Sequence, residues 1–162
     1  MERAPVTKLL LSLHVLAAII AVGPVTVAAS MFPPAVRRAA PAGDDGPPAT
    51  AVTTVALLHR ICRVYARIGV AVPLLGLATA LAMGVLGDGW LITSIALTAA
   101  AAGVLLAFVL PRQDDIIGQL HGHRPVDRQS TVQLAMFTGV FNLLWATVTV
   151  LMIVRPGSTT GA

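Results

Sequence analysis

Residues 9–32 read LLLSLHVLAAIIAVGPVTVAASMF and contain no charged side chain. An α-helix of this length reaches about 36 Å, which is enough to cross a hydrocarbon layer of about 30 Å. We therefore predict that the first membrane span occupies these residues. Arg3 and Lys8 precede the run and small side chains follow it, so a cleavable secretory signal peptide is an alternative, although the run is longer than the apolar core of such a signal.

Three further apolar stretches predict spans at about 67–87, 90–110 and 131–154. The composition of the whole chain agrees, because 56% of the 162 residues are hydrophobic, 11% are charged and the mean hydropathy is +0.84. A water-soluble domain has about 25% charged residues. The sequence thus predicts an all-α fold, a four-transmembrane-helix bundle that forms a single integral membrane domain over residues 1–162.

Two longer connections separate the spans. Residues 33–48 are rich in proline and residues 111–130 are polar, so both are predicted to be loops, with Pro111 ending the third helix. The second helix is predicted to begin at Ala49 with an amphipathic cytoplasmic extension. It then continues into its apolar span and is interrupted only by Pro73.

Basic side chains flank the apolar runs. Arg60, Arg63 and Arg67 fall at i, i+3 and i+7 on one helical face, where lipid headgroups are their expected partners. A pI near 10.6 could suggest nucleic acid binding, but aromatic residues make up only 4% of the chain and we predict no nucleic acid partner. Lys and Arg are more numerous on the side of loops 33–48 and 111–130. The positive-inside rule therefore places both loops in the cytoplasm and both termini outside.

Small residues at four-residue spacing predict where the helices approach one another closely. They are Gly76, Ala80 and Gly84 in the second span, and Ala99, Gly103 and Ala107 in the third. These two seams could face each other, and a homo-oligomer interface is the alternative. Asn142 in the fourth span is expected to form an interhelical hydrogen bond, because an unpaired amide inside a membrane costs several kcal/mol.

His14 is the one strongly ionisable side chain that lies clearly inside a predicted span, and such side chains are candidates for function. Its imidazole could bind haem between helices. The alternative is a neutral histidine that is hydrogen-bonded to a neighbouring carbonyl or hydroxyl group. His59 is a poor second haem ligand, because it is expected to lie a bilayer leaflet or more from His14 along the helices.

Other candidate sites are weaker. His121 and His123 could bind a metal ion from the loop, and an ordinary solvated loop is the alternative. His59 and Cys62 could share a zinc ion, but the chain has one cysteine, so a lone buried cysteine is the alternative. No Asp or Glu lies in a predicted span, which disfavours ion-coupled transport. No familiar hydrolase or nucleotide-binding motif indicates an enzyme.

Four features carry a resemblance to a known family. They are LLSLHVLAAIIAVGP at 10–24, RIGVAVPLLGLATALAMGVLG at 67–87, Trp90 at the start of the third span, and NLLWATVTVLMIVRPG at 142–157. Together they resemble the small bacterial four-helix integral membrane proteins grouped as domain of unknown function 2269. The resemblance implies four spans in a bacterial inner membrane and brings no established activity. His14 also gives a looser similarity to copper-resistance and haem-handling membrane families.

We therefore expect a small polytopic protein of the bacterial cytoplasmic membrane that acts as a non-enzymatic accessory or interaction component. Its expected partners are membrane lipid and either a second copy or another membrane protein. One alternative is a haem- or metal-binding redox component that uses His14, and another is an oligomeric pore or transporter. The redox alternative predicts a coloured protein whose colour depends on His14.

Overall fold

A computed structural model describes residues 3–39, 48–122 and 124–157. Over these residues the secondary structure is helical and contains no strand. The elements are α1 (Arg3–Ala39), α2 (Ala49–Ile68), α3 (Ala71–Met83), α4 (Gly89–Val104), a π-helical turn (Leu105–Val109), α5 (Leu110–His121) and α6 (Arg128–Val154). The all-α prediction is confirmed.

Four helical units are long and apolar enough to cross a membrane. They are Pro5–Ala39, Ala49–Met83, Gly89–His121 and Arg128–Val154. The first is 35 residues long, so it reaches about 50 Å and exceeds a hydrocarbon layer of about 30 Å by several turns. The predicted four-helix bundle is thus confirmed, and its helices are longer than the spans expected from the apolar runs.

Helix α1 overturns part of the first predicted loop, because it continues through Pro33 and Pro34 to Ala39. Phe32, Val36 and Ala39 are each at most 2% exposed and belong to the core. Tertiary packing along this face outweighs the two backbone hydrogen bonds that the prolines cannot form. The remainder of that predicted loop, residues 40–47, lies outside the described residues.

The second predicted loop is also partly wrong. The third helical unit continues through Pro111 to His121, and the π-helical turn ends at Val109, two residues before the proline. Such a turn accommodates the missing N–H and the bulk of a proline ring without ending the helix. Gln113, Ile116 and Leu120 then give α5 a buried face, so the polar composition of this stretch belongs to an amphipathic helix.

The interruption predicted in the second helix lies just before Pro73. Helix α2 ends at Ile68, the chain turns at Gly69 and Val70, and α3 begins at Ala71. Pro73 therefore lies in the first turn of α3, where a backbone N–H has no intrahelical acceptor. The amphipathic extension predicted for the second helix is α2, a separate helix.

The four helical units pack as two antiparallel pairs. In one pair α1 packs against α2 and α3, and in the other α4 packs against α6. The two pairs join where α2 meets α5 and where α1 meets α6. The main core lies at this junction and includes Phe32, Val55, Ile116 and Leu134. A second, smaller core surrounds Trp90 at the opposite end of α4. Its indole N–H donates to Asp88 at 2.9 Å, and the Arg155 guanidinium lies 5.6 Å from its ring centroid.

Candidate functional site

His14 joins α1 to α3. Its Nδ1 lies 3.0 Å from the carbonyl oxygen of Val72, so this nitrogen carries the proton and donates it. The ring lies against Gly76, where a Cβ atom would come within 2.9 Å of His14 Cε1. Gly76 is therefore required by the approach of the imidazole. Its predicted role in a seam towards the third span is replaced by this contact with α1.

The bond to Val72 matches one of the two alternatives for His14, a histidine hydrogen-bonded to a backbone carbonyl. It also defines the tautomer, because a ring that is protonated at Nδ1 has its lone pair at Nε2. Nε2 is the atom that would bind a metal, and a carbonyl-bonded Nδ1–H is a common support for such a ligand. The hydrogen bond to Val72 thus explains the position of His14 without a cofactor. It also leaves the Nε2 lone pair available as a metal ligand.

A second polar contact joins α2 to α5 inside the main core. We call it the α2–α5 polar cluster, and it consists of His59, Cys62, Gln113 and Asp114. Gln113 is fully buried and accepts a hydrogen bond from His59 Nδ1 at 3.0 Å. The Gln113 amide nitrogen donates to Cys62 Sγ at 3.7 Å, which fixes the orientation of the amide.

Asp114 lies at the edge of this cluster. Its Oδ1 lies 2.9 Å from His59 Nε2, although the approach is not along a hydrogen-bonding direction. The Asp114 side chain is 58% exposed, whereas that of His59 is only 8% exposed. The contact brings the Asp114 carboxylate against the edge of the imidazole, at the border between the core and solvent. The His59–Gln113 bond does not depend on it.

The chemistry open to this cluster is limited by burial. Cys62 is 0% exposed, so its thiol is closed to a substrate or an oxidant in the folded protein. Over the described residues there is no group of three or more His, Cys, Asp or Glu side chains that could hold a metal ion. The cluster is a polar contact between helices, in which Gln113 bonds to both His59 and Cys62. The buried His59 Nε2 has no hydrogen-bond partner among the described residues and faces Asp114.

The sequence analysis considered His59 as a haem or zinc ligand and Cys62 as a zinc ligand or a lone buried cysteine, and it did not identify Gln113. An interior partner for His59 and Cys62 could have been predicted in part. These two residues lie on one face of α2, whereas Arg60, Arg63 and Arg67 are exposed. A polar face that is separate from the charged face of an amphipathic helix indicates an interior partner. Gln113 was not identified because Pro111 was expected to end the third helix, which placed residue 113 in a loop.

The two interior histidines do not meet. His14 contacts α3 at Val72, whereas His59 contacts α5. The thirteen residue steps from His59 to Val72 correspond to roughly 20 Å along the helices. This separation agrees with the expectation that they are not a bis-histidine pair.

Of the two histidines predicted to bind a metal ion from the second loop, the structure describes His121. His121 is exposed at the end of α5. His123 lies outside the described residues, so the proposed metal pair stays a prediction. Arg60, Arg63 and Arg67 are all exposed, as lipid-headgroup ligands must be. Their contact with headgroups is likewise a prediction.

The remaining packing residues have different environments. Ala80 is 3% exposed and packs beside Trp90, and Asn142 donates to Ser30 Oγ at 3.1 Å, which is the expected interhelical hydrogen bond. Gly84 ends α3 in a left-handed conformation with φ of 71°, so the backbone conformation favours glycine at this position. Ala99 and Gly103 are exposed on α4, and the seam predicted there is therefore not used within one chain.

Comparison with known proteins gives no relative: no family model, no curated protein and no solved structure matches the chain.

Proposed function

We propose that this protein is a small multi-pass membrane protein with a non-enzymatic accessory role. The carrying observation is the use of both interior histidines as contacts between helices. His14 bonds α1 to α3 and His59 bonds α2 to α5. Side chains that would be the first candidates for chemistry in such a membrane protein have structural partners instead, and this supports a role in binding or organising other membrane components.

The proposal also specifies the membrane that holds the protein and the orientation of the chain across it. We propose the bacterial cytoplasmic membrane, in line with the resemblance to domain of unknown function 2269. The charges support an orientation with segments 33–48 and 111–130 on the cytoplasmic side. Arg37 and Arg38 at the end of α1 and the exposed arginines of α2 contribute to this asymmetry.

Haem or metal binding at His14 is the second candidate function. It is favoured by the Nδ1 bond to Val72, because this bond leaves Nε2 of the same ring as a ligand atom. A second axial ligand is not supplied by His59, so it would come from a partner chain or another part of the protein. The two candidates predict different visible spectra.

The test is the absorption spectrum of the protein purified in a mild detergent from haem-supplied cells, recorded oxidised and after dithionite reduction. The accessory proposal predicts a folded, helical protein without a Soret band. A near-stoichiometric Soret band that is lost in His14→Leu but retained in His121→Leu would contradict the proposal and support the redox candidate. His121→Leu is the matched control because His121 is exposed at the end of α5.

A further inference from the structure

A groove between α1 and α6 contains polar atoms that helix packing does not use. It has a volume of about 310 Å³, and we call it the α1–α6 groove. Its lining includes Ser30, Pro34 and Arg37 from α1, and Thr138, Gly139 and Asn142 from α6. At roughly 30 Å³ for each water molecule, the groove has room for about ten waters or a group of similar size.

Two buried atoms on the α6 side of the groove have no hydrogen-bond partner in the described part of the chain. They are Thr138 Oγ1 and Asn142 Oδ1. Thr138 is only 3% exposed. Elsewhere in the helices, hydroxyl groups such as those of Thr79 and Thr98 donate to the carbonyl four residues earlier. Since an unpaired buried polar atom is costly, these two atoms indicate a partner from outside the described residues.

The α1 side of the groove adds further polar groups. Pro34 has no N–H, so it cannot close the usual helical hydrogen bond to the carbonyl of Ser30, which lines the groove. Arg37 is exposed and lies about two helical turns, or roughly 10 Å, from Ser30. The groove therefore has hydrogen-bonding groups along its length and a guanidinium group towards the end of α1.

We propose that the α1–α6 groove binds the glycerophosphate region of an anionic phospholipid. The phosphate would lie at Arg37, and an ester carbonyl oxygen would accept a hydrogen bond from Thr138 Oγ1. A water molecule carried in with the lipid would donate to Asn142 Oδ1. An acyl chain fits beside Gly139, where no other helix of the described residues comes within 4 Å of the position that a Cβ would occupy.

The charge of the groove sets the lipid class. Arg37 lines the groove, whereas its exposed neighbour Arg38 is not part of the lining. A choline ammonium group attached to the phosphate would be placed close to the Arg37 guanidinium, and like charges repel. A lipid with a net negative headgroup avoids this repulsion. The groove therefore selects phosphatidylglycerol over phosphatidylcholine.

The test measures the retention of each lipid by the full chain in mild detergent, using native mass spectrometry, with the melting temperature as a second readout. We expect phosphatidylglycerol to be retained at least fivefold better than phosphatidylcholine. Arg37→Gln should weaken retention about tenfold, as expected for one charge-assisted hydrogen bond. Arg38→Gln is the matched control, because it removes the same charge one residue away, and it should weaken retention twofold or less.

The hydroxyl group is tested separately. Thr138→Val should weaken phosphatidylglycerol retention about threefold, whereas Thr138→Ser, which keeps the hydroxyl, should retain the lipid as the wild type does. Equal losses in Arg37→Gln and Arg38→Gln would reduce the effect to general surface charge and overturn the proposal. Equal retention of the two lipids, wild-type retention in Thr138→Val, or displacement of the lipid by inorganic phosphate would also overturn it.

Discussion

At the scale of single residues, the contact between His14 and Gly76 determines how closely α1 and α3 approach. A Cβ at residue 76 would lie 2.9 Å from His14 Cε1, a distance at which the ring or the helix must move. At Gly103, no other helix of the described residues comes within 4 Å of the corresponding position. The contact with His14 therefore requires glycine at residue 76, whereas packing does not require glycine at residue 103.

This difference gives the first prediction. Gly76→Ala should lower the free energy of unfolding by about 1–3 kcal/mol through overpacking, despite the better helix propensity of alanine. Gly103→Ala should be neutral or stabilising by up to about 1 kcal/mol. Both values can be measured by detergent-dependent unfolding followed by circular dichroism. An equal effect of the two alanines would show that His14 does not pack on Gly76.

The sequence could identify His14 but not its partner. A histidine in an apolar run is conspicuous, and its need for a hydrogen bond follows from elementary chemistry. Which carbonyl accepts that bond depends on the register between α1 and α3, and apolar surfaces in lipid leave that register open. Asn142 is the same case, since its need for an interhelical bond was predictable and Ser30 as its partner was not.

At the scale of elements, prolines were the main source of error. Pro33, Pro34 and Pro111 all lie within helical units where a loop was expected. Proline signals the loss of one donor, and it ends a helix only where packing does not compensate. Buried faces on both sides of these positions provide that compensation, and such faces can be found by checking whether helical periodicity resumes after a proline.

The second prediction concerns α5. If residues 113–120 form a helix with a buried face, their amide hydrogens should exchange with solvent slowly, at rates similar to those of α6. The amides of Val126 and Asp127, which lie outside the helices, should exchange rapidly. Hydrogen–deuterium exchange with mass spectrometry on the detergent-solubilised protein measures both. Exchange at 113–120 as rapid as at 126–127 would restore the loop predicted from composition.

At the scale of the whole molecule, the fold class could be predicted from the sequence, but the contacts between the two helix pairs could not. Four uncharged runs determine four helices, because a helix satisfies its own backbone in lipid. The junction of the two helix pairs depends on α5, whose amphipathic pattern lies in a stretch that reads as a polar loop. The α2–α5 polar cluster and the α1–α6 groove both lie at contacts between these pairs.

The third prediction tests the proposed orientation. In a Cys62→Ala background, single cysteines are introduced at Thr53, near the start of α2, and at Gly87, in the turn before α4. A membrane-impermeant maleimide should label Gly87→Cys in intact cells and label Thr53→Cys only after permeabilisation. Thr53 and Gly87 are both exposed in the folded chain, so their reactivity reports the side of the membrane. The reverse labelling pattern would invert the topology.

The central claim is that interior polar side chains hold the helices together, and a double-mutant cycle on His59 and Gln113 tests it most directly. The variants are His59→Phe, Gln113→Met and their combination, with His121→Phe as an exposed control. Each single variant of the pair should cost about 1–3 kcal/mol of unfolding free energy, because it leaves a buried polar partner unsatisfied. The double variant should cost less than their sum by about 1 kcal/mol or more, and His121→Phe should change stability by less than about 0.5 kcal/mol. Costs for the pair that add within about 0.3 kcal/mol would contradict the account, since they would mean that His59 and Gln113 do not stabilise the bundle through each other.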